Sequence, residues 1–72
     1  MDRGYMVRFS IETSLKDILK CAKRGNTYLA IIYKENLIGA LSYMISVGDI
    51  TEETYKRVMA LMRTITHKYK IY

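Results

Sequence analysis

Residues 48–72 read GDITEETYKRVMALMRTITHKYKIY, and this stretch announces a helix more clearly than any other part of the chain. Thr51 stands where an N-cap hydroxyl is wanted, followed by Glu52 and Glu53, whose carboxylates face the positive end of the helix dipole. Ile50 and Tyr55 occupy the two positions of a hydrophobic staple. Downstream, Tyr55, Val58, Met62, Ile65, Tyr69 and Tyr72 alternate between spacings of three and four, which draws one apolar seam along a helix over 51–70. Gly48 suits the C-terminal cap of a preceding helix. A loop of about three residues then joins two helices as an antiparallel hairpin.

The same stretch carries the charge. From Thr54 to Tyr72 there are five Lys and Arg, one His and no acid. Residues 1–53 balance seven basic against seven acidic side chains, so the net charge of +5 comes entirely from the C-terminal segment. Lys56, Arg63, His67 and Lys70 fall opposite the apolar seam. A solvated helix face ordinarily mixes signs, and this one does not after Glu53.

Seventy-two residues make one small domain, and a core of that size contributes only about 3–5 kcal/mol of net stability. No staple supplements it. Cys21 is the single cysteine, which rules out an intramolecular disulfide and points to a reducing compartment. One Cys and one His do not assemble a zinc site. Half of the residues are hydrophobic, so association with a protein partner or as a homodimer is the expected source of further burial. Residues 1–11 show no signal-peptide pattern, and the longest charge-free run, 36–48, is too short to span a bilayer. The expectation is a cytoplasmic protein with no membrane partner.

Toward the N-terminus the pattern changes. Tyr5, Val7, Phe9 and Ile11 alternate with Met6, Arg8 and Ser10, the period of a half-buried strand or of an extended arm over 5–11. Helix 1 is expected over 14–24, with Ser14 and Asp17 spaced as a capping box, an apolar stripe of Leu15, Ile18, Leu19 and Ala22, and Gly25 as the stop. Residues 27–47 read as helix 2, with a narrow strip of Glu35, Gly39, Ser42 and Ser46 that would admit another helix closely. A strand over 27–33 followed by a helix competes, because TYLAIIY is β-branched and aromatic. The fold expected is mainly α: a three-helix domain ending in an antiparallel helical hairpin, with a short N-terminal β-strand or extended arm.

Catalysis finds little support. His67 lies among Arg63, Lys68 and Lys70 without an acid partner, Cys21 reads as a packing residue, and the four glycines are too scattered for a phosphate loop. The chain is therefore read as non-enzymatic, with no cofactor, metal or small-molecule substrate. A nucleic-acid-binding regulator would make phosphate contacts through Lys56, Arg63, Lys68 and Lys70, extended by Arg8 or Lys20. Tyr69, Tyr72 and Met62 are the candidates for stacking or partner contact. Helix-turn-helix spacing fits poorly, since Lys20, Arg24 and Asn26 stand where apolar residues are needed around Gly25. A ribbon-helix-helix arrangement, with Met6, Arg8 and Ser10 on a strand face, fits somewhat better but leaves a third helix over. The competing class is an adaptor or inhibitor from a phage or mobile element that docks an apolar hairpin on a host protein.

Overall fold

Three helices account for nearly all of the chain: α1 (Arg3–Lys23), α2 (Thr27–Ser46) and α3 (Glu52–Tyr69). The computed structural model describes residues 3–72. Among these there is no strand.

The expected strand or arm over 5–11 is instead the first two turns of α1. Its alternation was ambiguous, because Val7 and Ile11 are spaced at i, i+4 as well as on one strand face, and so are Tyr5 and Phe9. In the helix the two pairs separate. Ile11 is buried and Val7 packs against the core, while Tyr5 and Phe9 turn outward and stack with ring centroids 6.2 Å apart. A helix satisfies its backbone donors internally, whereas a lone strand would need a partner for them. Ser14 consequently lies in mid-helix rather than at a cap. The alternative strand over 27–33 is likewise overturned, since those residues form the first two turns of an uninterrupted α2.

Each helix ends in the same device. Gly25 and Gly48 adopt positive φ (77° and 79°), and the next residue's N–H reaches back five residues, from Asn26 to Cys21 O at 2.9 Å and from Asp49 to Met44 O at 2.8 Å. These Schellman closures satisfy carbonyls the helix leaves unpaired. Helix α3 closes in the same way without a glycine: Lys70 takes φ 55°, and Ile71 N–H donates to Thr66 O at 3.2 Å. Asn26 serves two helices, because its Oδ1 also accepts from Leu29 N–H as the N-cap of α2. Thr51 caps α3, accepting from Thr54 N–H at 3.1 Å.

With only three residues between them, α2 folds back along α1, and this is the most extensive packing in the molecule. The core is formed by Ile11, Ile18 and Ala22 from α1, Ala30, Leu37 and Leu41 from α2, Val58 and Met62 from α3, and Ile71 beyond it. Ile50 and Tyr55 both pack against it from the partly buried shell. Arg3 at the start of α1 is tied to Asp49 in the α2–α3 connection. At the other end, Lys34 Nζ donates to Ile71 O at 3.4 Å and holds the C-terminal residues against α2. Among the described residues, no helix is long and apolar enough to cross a membrane.

Candidate nucleic-acid interface

The charge pattern of α3 divides at its midpoint. In the first two turns, Lys56 meets Glu52 and Arg57 meets Glu53, each at 3.4 Å and each an i, i+4 pair. All four side chains are more than two-thirds exposed, so these pairs are worth about 0.3–0.5 kcal/mol and leave both cations free to exchange partners. Past Glu53 the helix has no acid. Arg63, His67, Lys68 and Lys70 are all exposed and form no ion pair with any described residue.

The aromatic residues at this end are arranged unequally. Tyr72 is 74% exposed and meets the His67 ring edge-on, with centroids 6.5 Å apart. Tyr69 packs against the core and carries Lys68 Nζ over its ring at 5.5 Å. Lys70 is presented by its left-handed backbone, the same turn that sends Ile71 into the core at 1% exposure. The C-terminal half of α3 and the residues after it thus offer four cationic or titratable heads and one exposed aromatic ring.

Met62 does not belong to this surface. It is 3% exposed and sits in the core, a correction that follows from its place at the centre of the apolar seam, flanked by Val58 and Ile65. Arg8 is exposed but lines a shallow depression with Gly48, Asp49 and Thr54, at the opposite end of α3 from Lys68 and Lys70. Lys20 lies on the face of α1 turned away from the core, around another depression with Lys16 and Lys23. Of the six expected phosphate contacts, Lys56, Arg63 and Lys68 lie on α3 and Lys70 caps it, while Arg8 stands at the other end of that helix and Lys20 on α1.

Several features escaped the sequence reading. Tyr5, Met6 and Phe9 are each about half exposed on the outer face of α1, a patch concealed by the strand interpretation. Ile71 was overlooked as a core residue, since nothing in a Lys-Ile-Tyr ending signals a chain reversal. Among the described residues, no three His, Cys, Asp or Glu side chains gather to hold a metal. The depression between α1 and α2 lined by Ser14, Asp17, Tyr33 and Asn36 is open and shallow and mixes polar with apolar side chains. No protein-family model, curated protein or solved structure matches the chain.

Proposed function

We propose that this is a non-enzymatic nucleic-acid-binding accessory or regulatory protein whose phosphate contacts come from the C-terminal half of α3. One observation carries the reading: Arg63, Lys68 and Lys70 project from one helix end with no acidic partner, beside an exposed Tyr72. Unpaired cations on a rigid element attract phosphates and release their counterions, which gives affinity without reading base sequence. Tyr72 supplies a ring on which a base can stack. Lys56 extends the row toward the middle of the helix, because its bond to Glu52 is too weak to hold it from a phosphate. In this reading α2 and α3 form an antiparallel hairpin, with α3 as the contact element.

The test is binding to a mixed-sequence duplex, followed by fluorescence anisotropy across salt concentrations. The logarithm of the binding constant should fall with the logarithm of salt, by about 0.9 for each phosphate neutralised. Changing Lys56, Arg63 and Lys70 together to Gln should flatten that slope. Absence of binding at low salt, or a slope indifferent to the three changes, would end the proposal.

A second reading, a protein-docking adaptor or inhibitor of a phage or mobile element, draws support from the half-exposed Tyr5, Met6 and Phe9. Specific capture of one protein with no affinity for DNA or RNA would favour it.

A further inference from the structure

Two runs of the chain are free of acids: 18–34, with Lys20, Lys23, Arg24 and Lys34, and 54–72, with five Lys and Arg and His67. They are remote in sequence, but the fold brings their ends together. Arg3 at the start of α1 is bound to Asp49, just ahead of α3, and Val7 and Arg8 share a depression with Thr51 and Thr54. Helices α1 and α3 therefore begin at one end of the bundle and run in the same direction, over 21 and 18 residues. Both finish at the other end, where α2 begins and Lys34 fastens Ile71 beside it.

That end is a basic pole. Lys23 and Arg24 close α1, Lys68 and Lys70 close α3, and all four are exposed without an ion pair to any described residue. Asp17 and Glu35 are exposed as well, but each lies about two helical turns from the end, and Lys20 stands at the margin beside Asp17. Like charges gathered in this way repel one another, and bound phosphates relieve the repulsion.

Two aromatic rings stand among these cations. Tyr28, in the first turn of α2, and Tyr72, after α3, are 75% and 74% exposed, more than Phe9 or any other described tyrosine. A duplex would satisfy the cations but keeps the faces of its bases stacked on one another. An unpaired strand offers phosphates and free base faces together. We infer that the basic pole binds single-stranded nucleic acid, with Lys23 and Arg24 of α1 joining Lys68 and Lys70 on the phosphates and with bases stacked on Tyr28 and Tyr72. The inference rests on the nucleic-acid reading of α3 and adds to it a second helix and a class of ligand. Across its long axis the molecule measures only 23 × 15 Å, so a strand of a few nucleotides covers the pole.

The experiment compares a labelled mixed-sequence DNA strand with the same strand in duplex, by fluorescence anisotropy of the full chain over a range of salt. The strand should bind about tenfold more tightly than the duplex. Tyr28→Ala and Tyr72→Ala should each weaken strand binding by about tenfold and leave duplex binding unchanged, whereas Tyr→Phe at either position should bind as the wild type does. Changing Lys23 and Arg24 together to Gln should reduce the salt slope for the strand by about 1.4, the share of two phosphates. Polyglutamate of matched charge, an anion without bases, should bind far more weakly than the strand. Equal affinity for strand and duplex, or for strand and polyglutamate, would overturn the inference. So would strand binding indifferent to the loss of both rings, or a salt slope unmoved by the changes at 23 and 24. If duplex binding still responds to Lys56, Arg63 and Lys70 in those cases, the role of α3 survives; absence of binding to either ligand at low salt removes both.

Discussion

Arg3 and Asp49 meet through two parallel bonds, Arg3 Nε to Asp49 Oδ1 at 2.8 Å and Nη2 to Oδ2 at 2.9 Å. The pair fastens the first turn of α1 to the α2–α3 connection, across 46 residues of chain. Asp49 is the sheltered member, with its side chain 12% exposed against 75% for Arg3. The hydrogen bonds from Arg3 hold the Asp49 carboxyl below its ordinary range; partial desolvation opposes this and the Arg3 charge reinforces it. The Arg3 guanidinium is raised in turn by the same bonds.

The sign of the pH effect follows. A carboxyl whose pKa is lowered by folding contributes stability above its unfolded pKa, about 3.9, and loses it as pH falls through the folded value. Asp49→Asn should therefore lower the melting temperature at pH 7. The gap from the wild type should close as the pH falls below about 4. A gap that is the same at pH 7 and pH 3 would show that the pair contributes nothing through its charge.

Replacing Thr51 by Ala removes the hydroxyl that accepts from Thr54 N–H. The expected cost is about 1 kcal/mol, a fall of roughly 4–8 °C in melting temperature for a domain of this size. Thr51→Ser should keep most of the stability, because the oxygen remains. Thermal denaturation followed by circular dichroism distinguishes the two.

Lys70 holds a left-handed conformation that glycine adopts without penalty. Lys70→Gly should stabilise the fold by about 1 kcal/mol. If α3 binds phosphates, the same change should weaken duplex binding and reduce the salt slope by about one phosphate's share. One substitution thus raises the melting midpoint while lowering affinity, a combination that general destabilisation cannot mimic.

Phe9 and Ile11 would share a face in a strand but part company in α1. Phe9 is 56% exposed and Ile11 is 5% exposed. Ile11→Ala should cost about 2–5 kcal/mol, enough to unfold a domain this small, while Phe9→Ala should change stability by less than about 1 kcal/mol. Equal costs in urea denaturation would contradict the helical register of the first two turns.

The last helix was legible because its signals are local. The Thr51 hydroxyl, the acids that follow it and the alternating apolar seam lie within a few residues of one another, and each favours a helix regardless of what packs on it. The glycine stops at 25 and 48 are equally local, since positive φ is a property of a single residue. The cations of α3 were legible for the same reason, as a run without acids is visible in the chain itself.

Where packing decides, the chain alone was ambiguous. Val7 and Ile11 satisfy a strand and a helix equally, and only the core they pack into chooses between them. Met62 looked available to a partner until the core enclosed it, and Ile71 joins that core only because Lys70 reverses the backbone. The Arg3–Asp49 bridge and the isolation of Arg8 from Lys70 depend on which ends of the helices come together. Local hydrogen bonding and side-chain chemistry established α3 with its Thr51 cap, the glycine stops at 25 and 48, and the run of cations. Which apolar face turns inward, and which residues become neighbours, was decided by burial against other elements, an energy that no segment carries alone.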